Sequence, residues 1–188
     1  YESNLENMDA LGIRTDLEKN IKTKRYIILM YDGDTLIGSI FCSEKISKEH
    51  VDCPGMNLQP TKMIYIENVD IIESYQGKKL CSKMLDYTIN RFSEMGKNVL
   101  YIDNQSETKD GIPACFCYTK PGINNGYIII VTNSEDQKFK RKLSKNAIPK
   151  KYETIESLEC ISKDELTGKT YFYFKKEYYY SDEMISFR

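Results

Sequence analysis

The stretch of this chain with the most chemistry in it runs from Ile66 to Leu85, IENVDIIESYQGKKLCSKML. An apolar run enters a short polar loop that holds Gly77, Lys78 and Lys79, and the loop runs straight into a helical pattern. The first turn of a helix exposes N–H groups with no partner inside the helix, and the dipole adds partial positive charge there. Such a junction cradles phosphate-like anions, and two lysines strengthen the field. On these grounds alone an ordinary strand-to-helix turn reads equally well.

Other reactive side chains offer less. The six cysteines, at 42, 53, 81, 115, 117 and 160, sit singly in apolar patterns apart from Cys115-Phe116-Cys117. They read as reduced thiols that act as small hydrophobes. A nucleophilic Cys81 or Cys117 would need a base, and the lone His50 lies in a distant loop. A zinc site needs about four well-spaced ligands. His50 with Cys53 falls short, so no metal is expected. Lys138, Lys140, Arg141, Lys142, Lys145, Lys150 and Lys151 form a basic run without interleaved aromatics for stacking. It reads as a solvated helix face rather than a nucleic-acid track.

The elements that must position the 66–85 segment follow from periodicity. Loose helical spacing over 3–22 gives one or two short helices. Arg25–Tyr31 and Thr35–Cys42 are β-rich runs around Asp32-Gly33-Asp34, which makes a hairpin because Gly33 tolerates positive φ. Residues 46–61 read as a loop and Lys62–Ile72 as a strand. Leu80, Met84, Leu85, Ile89 and Phe92 mark an amphipathic helix that Gly96 ends. Asn98–Asp103 is the next strand, so strand, helix and strand predict a right-handed crossover with parallel pairing. A polar loop at 104–113, a short helix at 114–120 and a strand at 126–132 follow. Residues 133–168 are polar, with helix expected near 134–146, and Lys169–Tyr180 is a β-rich run before a tail.

The 188 residues suit one domain, 40% of them are apolar and 29% charged, and the net charge is −1. That charge gives no global pull toward nucleic acid or anionic lipid. No apolar run approaches the ~20 residues of a membrane span, and no signal-peptide pattern opens the chain. These features read as an intracellular, cytoplasmic protein.

The 66–85 segment resembles the acetyl-coenzyme A motif of GNAT acetyltransferases, an apolar strand followed by Gln/Arg-x-x-Gly-x-Gly/Ala opening a helix. Gln76 falls on the Gln/Arg position, with Glu73 and Tyr75 at the usual offsets before it. Downstream, Ala114-Cys-Phe-Cys-Tyr118-Thr-Lys120-Pro-Gly122-Ile123 is similar to the family's Ala-x-x-Phe-Tyr-x-Lys-x-Gly-Phe. The likeness covers roughly 20–132, and 133–168 is divergent within a single 1–188 domain. Lys79 and Cys81 stand where the family has Gly and Gly or Ala.

The resemblance implies an α/β (α+β) fold: a mixed, mostly antiparallel sheet flanked by helices, with one parallel pair around a crossover helix. It implies acetyl transfer from acetyl-CoA to a primary amine by direct attack, the amine being a small molecule, a lysine or a protein N-terminus. Backbone groups of Val69 to Ile71 would meet the acyl carbonyl and pantetheine. Gln76, Gly77, Lys78, Lys79, Leu80, Cys81 and Ser82 would hold the diphosphate. Tyr118 would be the general acid, and Glu67 or Asp70 the base, with Glu67 expected on the same strand face as Val69 and Ile71. A fold that binds acyl-CoA or a protein without turnover stands as the alternative, motivated by Lys79 and Cys81. Acceptor identity and oligomeric state are left open.

Overall fold

The structure, a computed structural model, describes residues 2–13, 24–45, 59–104, 115–118, 121, 126–133, 169–179 and 181. The helical spacing expected beyond residue 13, the loop at 46–58, His50 and Cys53, the basic run at 138–151 and the tail beyond 181 lie outside them. Among the described residues six strands form one sheet: β1 (Arg25–Asp32), β2 (Thr35–Ser43), β3 (Met63–Ile71), β4 (Val99–Asn104), β5 (Tyr127–Asn133) and β6 (Lys169–Lys175). Their spatial order is β1-β2-β3-β4-β6-β5. All neighbours are antiparallel except β3 and β4. The expected parallel pair around a crossover helix is therefore present.

β1 and β2 meet at Asp32↔Thr35, across Gly33 at φ 57° and Asp34. β2 is buried along Leu36–Ser43, so it packs on both faces. On one face α1 (Glu2–Ala10) covers Leu36 and Phe41, joined by Leu11 and Ile13. Two asparagines fix it there. Asn4 donates to the Asp34 carbonyl and accepts from the Leu36 N–H, and Asn7 donates to the Leu36 carbonyl, all at 2.8–2.9 Å.

The other face carries α2 (Leu80–Glu94), whose Met84, Leu85, Thr88, Ile89 and Phe92 are buried against Ile40, Ile64, Ile66, Leu100 and Ile102. Fully burying one such side chain stabilises by roughly 1.5–3 kcal/mol. Gly96 at φ 79° ends the helix, and the Lys97 N–H reaches back to the Phe92 carbonyl at 2.9 Å. α2 can lie this close because residue 38 is glycine. A Cβ there would come within 2.8 Å of Ile71 Cδ1 and 2.9 Å of Met84 Sδ.

One expectation needs correction. The β-rich run at 169–180 stops at Lys175, and Lys176–Tyr179 turns into a short helix, with Tyr178 and Tyr179 buried. The Lys176 N–H bonds the Gly126 carbonyl at 3.0 Å, one step beyond the last ladder pair, Tyr127↔Lys175, and the chain turns helical from there.

Candidate active site

β3 delivers the strand end of the site, and its pairing explains how. The parallel ladder with β4 covers Met63↔Val99 to Ile66↔Ile102 and ends there, whereas β3 runs on to Ile71 alongside β2. Val69 and Ile71 lie in this continuation and pack against the α2-side core.

The register with β2 slips between Phe41↔Asn68 and Cys42↔Ile66, leaving Glu67 as the extra residue of a β-bulge. Up to Ile66 the alternation faces α2 at Ile64 and Ile66, and past the bulge it does so at Val69 and Ile71. Glu67 is thus turned out of the row in which strict alternation placed it. Its carboxylate forms an ion pair with Arg25, whose guanidinium lies 5.9 Å from the Phe41 ring centroid, on the α1 side of the sheet. The expected common face for Glu67, Val69 and Ile71 is therefore overturned. The bulge lies between them.

After Ile71 the chain makes a turn of 3₁₀ helix at Glu73–Tyr75 and then the loop Gln76–Lys79. The Gln76 side-chain amide donates back to the Ile71 carbonyl at 2.9 Å, tying loop to strand end. Tyr75 donates to Asp32 at 3.2 Å and takes the Lys78 ammonium over its ring at 4.5 Å. Gly77 at φ 74° and Lys79 at φ 60°, ψ 19° are both left-handed, so the loop turns sharply twice before the helix begins. Lys79 is the N-cap of α2, and its side chain makes no capping bond. The first N–H returned to that cap is Lys83 to Lys79, at 3.3 Å. The amides of Leu80, Cys81 and Ser82 precede it at a fifteen-residue helix tip whose loop lysines are exposed.

Tyr118 ends α3 (Cys115–Tyr118) and is 7% exposed, within the same core cluster against which Val69, Ile71, Cys81 and Cys117 pack. Its ring meets Tyr171 edge-on at 5.4 Å, and its backbone carbonyl accepts from the buried Tyr173 hydroxyl at 2.7 Å. Burial first, then the Asp70 carboxylate, holds the Tyr118 phenol well above its ordinary value, so it stays protonated. Asp70 itself lies opposite Ser39 and accepts a bond from the Asn68 side chain. The structure thus gathers Val69, Ile71, Gln76 to Ser82 and Tyr118 around one corner, with the charge of Asp70 felt there. Glu67 is engaged by Arg25 on the far side of the sheet.

The reading of the cysteines as reduced thiols is also corrected for two of them. Cys81 and Cys117 are joined in a disulfide with Cα atoms 5.7 Å apart, and in that state neither is a nucleophile. They meet because Cys81 is in the first turn of α2 and Cys117 immediately precedes Tyr118. Once both motifs share a corner, their neighbours do too. Cys42 is fully buried, and burial pushes its thiol pKa far up, as for an inert core residue. Sequence reasoning missed Arg25, Tyr171 and Tyr173, which sit in β-runs that periodicity reads only as strand. Among the described residues no group of three or more His, Cys, Asp or Glu could hold a metal ion, and no helix is long and apolar enough to cross a membrane.

A sequence profile of the acetyltransferase (GNAT) family matches residues 4–122. No curated protein matches the chain in sequence. Among solved structures, an acetyltransferase from Bacillus subtilis in complex with CoA is similar, with 14% identity, 93% of each chain covered and a TM-score of 0.47. Naa50 from Arabidopsis thaliana, bound to the bisubstrate analogue CoA-Ac-MVNAL, shares 15% identity over 92% of each chain, with a TM-score of 0.39. The PaiA N-acetyltransferase from Thermoplasma acidophilum in complex with coenzyme A shares 15% identity over 68% of this chain and 63% of its own, with a TM-score of 0.39.

Proposed function

The chain belongs to the acetyltransferase (GNAT) family, and from that premise we propose that it is a single acyltransferase domain moving the acetyl group of acetyl-CoA onto a primary amine by direct attack. The acceptor is a small amine, a lysine or a protein N-terminus. One observation carries the reading: a buried, protonated Tyr118 shares a corner with a helix tip whose N-cap residue, Lys79, makes no side-chain capping bond.

The residues at that corner suit a CoA diphosphate. Two left-handed residues bend the loop so that amides of Lys79 to Ser82 converge, and Lys78 and Lys79 add charge. Lys79 takes a left-handed conformation of the kind glycine favours and keeps its side chain exposed, so the departure from glycine there strains the backbone without covering the cradle. The end of β3, past its ladder with β4, offers backbone groups of Val69 to Ile71 to the acyl-bearing arm.

Chemistry then needs a neutral amine, donors for the oxyanion and a proton for the departing thiolate. Tyr118 serves the last as a donor to sulfur. Because its pKa lies above the ordinary phenol value it is a weak acid, so its contribution is a hydrogen bond that strengthens as charge builds on sulfur. Of the two carboxylates Asp70 is the one whose charge reaches Tyr118. It draws the amine's proton through water, since its side chain alternates onto the face opposite Val69 and Ile71; Glu67 is assigned a structural part in its pair with Arg25.

The test is to mix the protein with acetyl-CoA and a panel of amines and follow free thiol. Release should occur with at least one amine, and Tyr118→Phe should slow it by roughly 100-fold or more with little change in the acetyl-CoA KM. Equal rates would remove Tyr118 from the mechanism. If a large excess of acetyl-CoA fails to raise the melting temperature, ligand-linked stabilisation is absent and the whole reading falls.

A further inference from the structure

The helix that presents Tyr118 is four residues long, well below the length at which a helix holds itself in water. Its position has to be imposed from outside, and three ties do so. The Tyr173 hydroxyl donates to the Tyr118 carbonyl at 2.7 Å, from β6 in the core. The Ser82 hydroxyl donates to the Cys117 carbonyl at 3.3 Å, and Cys81 is bonded to Cys117. Both of the latter come from the first turn of α2, the tip that would grip the diphosphate. The covalent tie therefore links the residue before the acid to the second residue of the gripping helix. Its two cysteines are only partly buried, unlike Cys42, which is sealed.

We propose that Cys81 and Cys117 are positioning residues for acetyl transfer, and that the bond between them is a reducible clamp that sets Tyr118 against the tip of α2. This rests on the reading of Tyr118 as the acid. The reductant is a dithiol. Its two hydrogens pass to the sulfurs of Cys81 and Cys117 as the S–S bond breaks, and the dithiol closes to its own disulfide, so two electrons and two protons balance. After reduction the amides of α2 are unchanged, so the grip on the donor persists. Among the described residues α3 keeps its two hydrogen bonds and the packing of Tyr118 on Tyr171, and without the covalent tie it samples a wider range of positions. Misplacement by about 1 Å is enough to cost a rate roughly 100-fold.

The experiment compares four samples: protein purified without reductant, the same protein treated with dithiothreitol, Cys117→Ser, and Cys81→Ala. Peptide mapping under non-reducing denaturation should find Cys81 joined to Cys117 in the first. Its kcat should exceed that of the other three by roughly 10- to 100-fold, with the acetyl-CoA KM alike in all. Reoxidation should restore the treated wild type, and dithiothreitol should leave both variants unaffected. Mapping that finds both thiols free in untreated protein, equal kcat across the redox states, or a loss that falls on KM would each overturn the clamp. A separate readout covers the case of no turnover with any amine, which would defeat the transferase reading. The alkaline absorbance titration of wild type minus Tyr118→Phe reports the Tyr118 phenol directly. Reduction should shift that titration toward the ordinary tyrosine range, and an unmoved titration would again overturn the clamp.

Discussion

Replacing Lys79 with glycine should stabilise the protein. The reasoning starts from a backbone angle: Lys79 caps α2 at φ 60°, ψ 19°, and it is the one non-glycine residue with positive φ among those described. An L-residue in the left-handed region costs roughly 1–2 kcal/mol, because Cβ crowds the following carbonyl oxygen. Glycine removes that strain but has more unfolded freedom to lose, at roughly 0.5–1 kcal/mol. The difference favours Lys79→Gly by about 0.5–1 kcal/mol. For a chain of this length each kcal/mol moves the melting temperature by about 2–4 °C, so the expected rise is roughly 1–4 °C. Lys79→Ala is the control. It loses the same charge, with the same relief of repulsion from the helix N-terminus, and keeps the strain, so Lys79→Gly should melt above it. Both variants should bind acetyl-CoA a few-fold more weakly, since one charge near a helix N-terminus is worth about 0.3–1 kcal/mol to an anion. Thermal unfolding followed by circular dichroism, with a parallel acetyl-CoA titration, measures both effects. If Lys79→Gly melts no higher than Lys79→Ala, the left-handed cap is wrong, and the cradle built on it goes too.

Three further outcomes follow from the same geometry. Gly38→Ala should lower the denaturant midpoint by about 1–3 kcal/mol of stability, since its Cβ would press on Ile71, Met84 and, at 3.1 Å, the Asp70 carbonyl; an unmoved midpoint would mean that α2 does not pack here. Arg25→Ala should cost about 1–3 kcal/mol by removing the guanidinium that neutralises a half-buried Glu67 carboxylate, and adding Glu67→Gln should recover part of the loss, so additive costs in the double variant would dissolve the pair. Alkali should destabilise the protein through its buried phenols, because Tyr65 and Tyr171 are pushed up to about 12 by burial. A raised folded pKa gives stability that is whole below the unfolded value near 10 and is lost as pH climbs toward 12. Tyrosinate absorbance should therefore rise in two steps, the second coinciding with unfolding, and a single step near pH 10 would refute this.

What the sequence could and could not disclose divides along one line. Elements set by local rules were legible: the hairpin at Gly33, the amphipathic period of α2 with its glycine stop, and the strand–helix–strand order that forces a parallel pair. The site was legible as far as it is local, so the loop from Gln76 to Ser82 lies at a helix tip as the Gly77 and lysine pattern implied. What failed depended on partners distant in sequence. Strict period-two alternation aimed Glu67 at the α2 face, but one extra residue in a ladder with Cys42 and Phe41 turned it toward Arg25, 42 positions away. Nothing within β3 announces a bulge, since the slip is a property of two strands together. The same holds for Cys81 and Cys117, 36 residues apart. Each reads singly as a small core hydrophobe, and only the docking of α3 on α2 makes them neighbours. A helical tail on the run at 169–180 was hidden for a related reason, because tyrosines at 178 and 179 suit a strand by propensity until β5 sets where the ladder ends. The chemistry proposed for the corner therefore depends on the least local facts of the fold. Tyr118 acquires its raised pKa from burial by β6 and α2 and from the charge of Asp70, none of which the local pattern around residue 118 contains.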